Sequence, residues 1–267
     1  MVRAWALAAI ACLSCSVDLG IEGMKFRCDS TSQCASGFHC ALGICSRAGD
    51  GGAPDSGTES CGFDEEFDLT ELDDWQHNGD AAPFPGFVRL TSANSNQRGT
   101  LWHRRRIRAE RFSYQVEFNI IGGVPGDGMA VAWIEEEPSA SGGSSANLGA
   151  YGLNGYLVEL DTFGNTGLGD PPSEHIAWAR TRGMHLPELD PSDRLATVNV
   201  ASLRSAETRS LRIEFDRGSI QIFLDEGLVL TASTASYQPF DATFGATAAT
   251  GAQSDSHTVH RLTLRCL

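Results

Sequence analysis

In FSYQVEFNI, residues 112–120, the apolar side chains of Tyr114, Val116 and Phe118 fall on every second position with polar residues between them. A helix would scatter that pattern around its circumference, whereas an extended strand puts it on one face. The same alternation returns at Leu211, Ile213 and Phe215 in SLRIEFD and at Ile220, Ile222 and Leu224 in SIQIFLD. Gly218 and Gly227 mark the reversals after them, as hairpins require. Helical periodicity is scarce. Many short, half-buried strands separated by turn signals predict an all-β sandwich. The 267 residues suit one large β-domain with small attachments.

The formal net charge of −14 argues against a nucleic-acid partner, because binding to a phosphate backbone rests on Lys and Arg. The one basic run, His103-Arg104-Arg105-Arg106, is expected on an exposed strand face with no ligand. At the N-terminus, Arg3 and the apolar run WALAAIACLS are too short to span a membrane and suit an export signal over residues 1–14. Cleavage before Cys15, as in bacterial lipoproteins with an acylated N-terminal cysteine, removes Cys12 and leaves six cysteines for three disulfides. A lipid anchor on Cys15 is therefore expected, with a plain secreted form as the alternative. Residues 15–45 hold Cys28, Cys34, Cys40 and Cys45 among small polar residues. They read as a tiny disulfide-rich module, since the spacing lacks the paired C-x2-C of structural zinc sites. Residues 46–60, SRAGDGGAPDSGTES, read as a flexible linker. Cys61 and Cys266 bracket the main domain, 61–267, and their positions point to a disulfide between first and last strands. Such a bond stabilises by several kcal/mol in the chain-entropy model.

Residues 155–176, GYLVELDTFGNTGLGDPPSEHI, carry the chemistry. On a strand, Glu159, Asp161 and Phe163 project to one side, opposite Val158 and Leu160. Asn165, Asp170 and His175 follow on a loop that its glycines and Asp170-Pro171-Pro172 shape. Taken singly, each is more often a solvated acid or an ordinary strand histidine. Taken together, the carboxylates, the amide and a backbone carbonyl suit Ca2+, while a set including His175 suits Mn2+ or Zn2+. One spacing thus supports two adjacent cations.

E-x-D-x-F-x-N followed by Asp170 and His175 resembles the metal loop of legume lectins and their L-type relatives. The resemblance covers roughly Cys61 to Cys266 and implies the concanavalin A-like jelly roll. It also implies that Glu159 and His175 hold a transition metal such as Mn2+, that Asp161 and Asp170 bridge two ions, and that Asn165 and the Phe163 carbonyl complete a Ca2+ sphere. GDGMAVAWI, residues 126–134, is similar to the A-D-G-L-A-F segment of the family. By position Asp127 is then the sugar acceptor, after a cis Gly126-Asp127 bond. Asn165 would donate to the same sugar and Phe163 would stack on it. TGAQSDSHTV, residues 250–259, resembles the family's specificity loop, which implies backbone contacts from Ala252 and Gln253; a polar hairpin loop is the alternative. Where the family has G-G-x-L-G this chain has SGGSSANLGAYG, so counting back from Leu148-Gly149 puts a further N-H donor at Ala146 rather than at glycine.

The function implied is calcium-dependent, non-catalytic binding of glycans by an exported protein, lipid-anchored in a bacterial envelope or secreted. Two alternatives share the fold. A structural or adhesion module would keep the cation and lack sugar binding. A laminarinase-type hydrolase needs E-x-D-x-x-E, and here the last position is Gly164, so one of two required carboxylates is missing. No nucleophile elbow, phosphate-cradling loop or zinc-protease motif is present.

Overall fold

The structure is a computed structural model that describes residues 38–41, 44–47, 62–67, 72–183 and 191–267. The chain divides into two units, Met1–Thr58 and Glu59–Leu267. In the first, the described residues form one antiparallel hairpin, β1 (Phe38–Ala41) with β2 (Ile44–Arg47), in which Cys40 lies opposite Cys45. Phe38 and His39 pair with Arg47 and Ser46, so regular structure runs into the stretch expected to be linker. The export signal, Cys15, Cys28, Cys34, the rest of the linker and Cys61 lie outside the described residues.

In the second unit the described residues build two antiparallel sheets of eight strands each. The front sheet runs in the order β13 (Arg194–Asn199), β12 (His175–Arg182), β11 (Asn154–Asp161), β10 (Gly128–Ile134), β17 (Phe240–Ala249), β7 (Arg98–His103), β4 (Trp75–Gly79), and β8 (Ile107–Ala109) also pairs with β17. The back sheet runs β16 (Gly227–Ser233), β15 (Ser219–Leu224), β14 (Ser205–Asp216), β9 (Arg111–Val124), β18 (Ser254–Cys266), β6 (Phe87–Thr91), β5 (Ala82–Phe84), with β3 (Gly62–Glu66) on β18. The three alternating segments of the sequence are β9, β14 and β15, side by side. Their apolar faces meet the front sheet: Phe112 packs edge-on against Trp133 at 5.4 Å and Phe244 at 5.1 Å between ring centroids.

The central strands of the front sheet, β10, β11, β12 and β17, are buried on both faces. Met129, Val131 and Trp133 of β10 enter the core between the sheets, whereas Ala130, Ala132 and Ile134 enter a second cluster with Leu148, Ala150, Tyr151 and Leu153. That second cluster lies under the segment between β10 and β11. The small residues on this face let the covering segment approach closely. It is tied down by Arg98, which donates to the Gly142 carbonyl at 2.7 Å, and by Thr247, which donates to that of Leu148 at 2.7 Å.

Two local expectations differ from the structure. Arg104, Arg105 and Arg106 are not a strand face: β7 ends at His103, and the arginines form the turn to β8, where Arg105 donates to the Gly62 carbonyl and Arg106 to those of Glu135 and Asp241. Backbone acceptors at this turn give the cations partners that an exposed strand lacks. At the β15–β16 reversal the positive φ angles belong to Asp225 (48°) and Glu226 (66°), while Gly227 already pairs with Leu224 in the ladder. The β14–β15 reversal uses Arg217 and Gly218 as expected. Cys266 is disulfide-bonded.

Candidate functional site

The period of two decides where the acids go. On β11, Val158 and Leu160 enter the core between the sheets, so Glu159 and Asp161 must point to the other face, as Ala177 and His175 opposite them on β12 do. The covering segment removes that face from water: Glu159 is 1% exposed, Asp161 4% and His175 0%. The loop after β11 folds back through a hydrogen bond from the Phe163 N-H to Asp161 Oδ1 (2.7 Å) and one from the Asn165 N-H to Asp170 Oδ2 (3.2 Å). Glu159, Asp170 and His175 each place a donor atom within 4.8 Å of the others. The side-chain oxygen Asn165 Oδ1 is buried without a hydrogen-bond partner.

Burial makes two of these acids, Asp161 and Asp170, hard to ionise. It pushes Asp161 up to about 8, with the Glu159 charge adding to the effect, and it also raises Asp170 despite the opposing guanidinium of Arg194. For His175 burial disfavours the cation, but Glu159 and Asp161 outweigh it and hold the pKa above the ordinary value.

Sequence reasoning missed two residues here. Tyr151, from the covering segment, donates its hydroxyl to Glu159 Oε2 at 2.8 Å. Arg194, at the start of β13, places Nη2 2.6 Å from Asp170 Oδ1 and Nε 3.9 Å from Glu159 Oε1. Neither has a signal within residues 155–176.

Asp127 stands at the same end of the sheet. Gly128 pairs with Asp161 on one side and with Ala249 on the other, so the residue before it leads off the strand ends. The Gly126-Asp127 peptide bond is cis. The Asp127 carbonyl accepts from both the N-H (3.0 Å) and the hydroxyl (3.1 Å) of Thr162, which ties this turn to the loop of Phe163 and Asn165. Its carboxylate is buried and pushed up to about 6 by desolvation, against the Ser145 hydroxyl and the Gly251 N-H. Oδ2 is buried without a hydrogen bond. Ser145 and Gly251 also escaped sequence reasoning as such, although each borders an expected residue, Ala146 and Ala252. Ala146 lies half-buried in the short 3-10 turn Ser145–Asn147 beside Asp127, and Ala252 and Gln253 are exposed next to Gly251. Phe163 is 39% exposed at the rim, among the few large apolar side chains left in contact with water.

Gly251 has no room for a side chain: a β-carbon would lie 2.6 Å from Ser145 Oγ and 2.9 Å from Asp127 Oδ2. Both obstacles are side-chain tips, so Gly251→Ala is expected to fold with the wild-type Tm while the Asp127 carboxylate is displaced. Loss of ligand binding in a titration, with unchanged thermal unfolding, is the expected pair of readings.

A family model of legume-like lectins matches residues 65–267. Human ERGIC-53 is 24% identical over 200 residues, covering 69% of this chain and 38% of that protein, and mouse ERGIC-53 is 27% identical over 101 residues, covering 37% and 19%. This chain therefore spans well under half of those relatives. Among solved structures, the exoplasmic/lumenal domain of VIP36 in its Ca2+/Man3GlcNAc-bound form superposes with a TM-score of 0.66 at 19% identity, over 78% of this chain and 89% of that one. The carbohydrate recognition domain of Emp47p gives 0.63 at 14%, over 78% and 96%. The jelly-roll sandwich is thus the fold shared with these domains, and the match over residues 65–267 assigns the sequence itself: the chain belongs to the legume-like lectin family.

Proposed function

We propose that the domain binds carbohydrate without catalysis and depends on one bound Ca2+ to do so. The observation that carries this reading is a buried carboxylate, Asp127, fastened through Thr162 to a loop whose buried amide oxygen, Asn165 Oδ1, has no hydrogen-bond partner. Among Glu159, Asp161, Asp170 and Arg194, three carboxylates face one guanidinium. Buried charge left uncompensated costs several kcal/mol per ion, which is why Asp161 keeps a proton in the metal-free chain; a divalent cation would replace that proton and balance the two carboxylates that Arg194 does not. The available donors are oxygens, from Asp161, Asp170, Asn165 Oδ1 and the Phe163 carbonyl, which is the set a hard cation takes. The ion would supply positive charge at the loop and hold it in one conformation. With the loop fixed, Asp127 accepts from sugar hydroxyls, the Asn165 amide donates, and Phe163 offers its exposed ring to the apolar face of the pyranose.

Pre-organisation supports binding by a shallow site, because little ordering entropy is left to oppose it. Single-site affinity is then modest, and surface-presented copies raise it through avidity. VIP36, a structural relative, is known in forms holding Ca2+ with Man, Man2 and Man3GlcNAc, so mannose and its oligomers are the first ligands to try. The non-catalytic reading is supported by Gly164, where a β-carbon would meet the Pro171 carbonyl oxygen at 2.4 Å; the second carboxylate of a hydrolase has no space there. Isothermal titration of the protein with α-mannobiose, in CaCl2 and after chelation, tests the proposal. Heat in both conditions, or in neither across a glycan array, overturns it.

The domain placement proposed with this is a lectin-like sandwich from Cys61 onward, closed by a Cys61–Cys266 disulfide. An N-terminal disulfide-rich module and linker on an exported, lipid-anchored chain would precede it.

The acids also predict a pH dependence. Asp161 has an ordinary pKa of 3.8 when unfolded and about 8 when folded, so the folded, metal-free chain holds a proton that the unfolded chain releases. Stability of the chelated protein therefore falls as pH rises through that window. His175, also raised, acts in the same direction above 6.5. His257, pushed down to about 3 by burial, is neutral in the folded chain and takes up a proton on unfolding near pH 6.5, so it opposes this slope at the lower end of the window and adds none by pH 8. The Tm of the chelated protein is expected to drop between pH 6.5 and 8, and CaCl2 to raise it more at pH 8 than at pH 6.5. Equal increments at the two pH values would count against Asp161 as a ligand.

A further inference from the structure

We propose that Arg194 takes the place of the second, transition-metal ion: its guanidinium fills the space among Glu159, Asp170 and His175, so that this chain holds Ca2+ alone. The inference rests on the calcium reading above and adds which cation the other half of the pocket uses.

The donors for a transition metal are present, yet each already has a partner. Glu159 Oε2 accepts from the Tyr151 hydroxyl at 2.8 Å, and Glu159 Oε1 lies 3.3 Å from His175 Nε2 and 3.9 Å from Arg194 Nε. His175 Nδ1 lies 3.2 Å from the Ser173 carbonyl. Asp170 Oδ1 meets Arg194 Nη2 at 2.6 Å, while Oδ2 accepts the Asn165 N-H at 3.2 Å and has a second lone pair.

Arg194 is held there by its neighbour in sequence. Asp193 is fully buried and bound by two arginines of β12, Arg180 Nε to Oδ1 at 2.7 Å and Arg182 Nη2 to Oδ2 at 2.6 Å. That clamp fixes the start of β13 opposite Ala179, past the bulge between Trp178 and Ala179. From there the side chain reaches Asp170 and Glu159, the latter opposite Ala177 of β12. Its own exposure is 17%, so the cation is largely withdrawn from water and committed to the two acids.

Charge favours one ion. With Arg194 in place a single divalent cation neutralises the three carboxylates, whereas a second would leave two positive charges in a buried pocket. Arg194 is accordingly a positioning residue for calcium: it fixes Asp170 from behind, as the missing ion would.

The test uses the full chain in saturating CaCl2, titrated with MnCl2 and read by electron paramagnetic resonance and elemental analysis after gel filtration. Wild type is expected to hold one Ca2+ and no Mn2+. Arg194→Ala is expected to gain one Mn2+ per chain, to bind Ca2+ at least tenfold more weakly in the absence of Mn2+, and to recover Ca2+ affinity when Mn2+ is added. Arg194→Ala/His175→Ala should lose the Mn2+ again, and Arg194→Lys should exclude it. Wild type holding one Ca2+ and one Mn2+ overturns the inference while leaving the calcium reading intact. So does an Arg194→Ala protein that takes no Mn2+ and binds Ca2+ like wild type. Absence of Ca2+ from wild type overturns the calcium reading and this inference with it. If Arg194→Ala does not fold, wild type and Arg194→Lys still decide: exclusion of Mn2+ by both supports the substitution, and uptake by either removes it.

Discussion

Asp127→Ala is expected to abolish saccharide binding while leaving Ca2+ content and the Tm of the calcium-loaded protein within experimental error of wild type. The separation follows from how the residue is held. Its backbone, not its side chain, joins the loop, through the carbonyl that takes two hydrogen bonds from Thr162. Its carboxylate takes hydrogen bonds from the Ser145 hydroxyl and the Gly251 N-H. Removing it takes away the charged acceptor for sugar hydroxyls, a loss of about 3 kcal/mol or roughly 100-fold in affinity, enough to put a weak site out of range. Relief of a desolvated acid offsets part of any packing loss. Calorimetric titration with α-mannobiose beside elemental analysis reads both halves, and a variant that still binds sugar removes Asp127 from the site.

Asp161→Ala is expected to lose cation and sugar together. Asp161 does two jobs at the end of β11: Oδ1 accepts the Phe163 N-H and so starts the loop, and the carboxylate supplies one of the charges that attract the ion. Without it the Phe163 carbonyl and Asn165 lose their fixed position, and Ca2+ affinity should fall by ~100-fold or more, about 3 kcal/mol. Asp161→Asn is the informative companion. It keeps an acceptor for the Phe163 N-H but not the charge, so it should keep the apo fold and still lose Ca2+. Normal calcium in Asp161→Asn would show that the residue only shapes the turn. Sugar binding that survives in either variant would separate the two sites and end the dependence of one on the other.

Much of this was legible because the signals are local. Alternation over Tyr114, Val116 and Phe118 fixes a strand by itself, and Glu159 with Asp161 share a face on any strand whatever its neighbours are. The cis bond at Asp127 was expected from a short segment whose likeness to the family is dense. What escaped is what pairing creates. Arg194 reaches the acids only because β13 lies on β12 in a register broken by a bulge at Trp178, a property of two strands and not of either. Tyr151 and Ser145 arrive on a segment without regular strand structure that folds over the front sheet, and no periodicity announces such a cover. The arginines at 104–106 misled for a related reason: Arg104 and Arg106 are exposed, but on a turn rather than a strand, where Arg105 and Arg106 donate to the carbonyls of Gly62, Glu135 and Asp241.

One strand sets the orientation of the whole unit. β18 begins at Ser254, next to the Gly126 carbonyl that accepts from Asp255 at 2.9 Å, and ends at Cys266 after 13 residues, roughly 40 Å away at about 3.3 Å per residue. Gly62, where β3 starts, pairs with Arg265 at that distal end. Within this unit the start of β3 and the turn that carries Asp127 therefore lie at opposite ends of the sandwich. A substitution at Gly62 or Cys266 is thus separated from Asp127 by the full length of one strand, and any effect it had on the pocket would have to travel along β18.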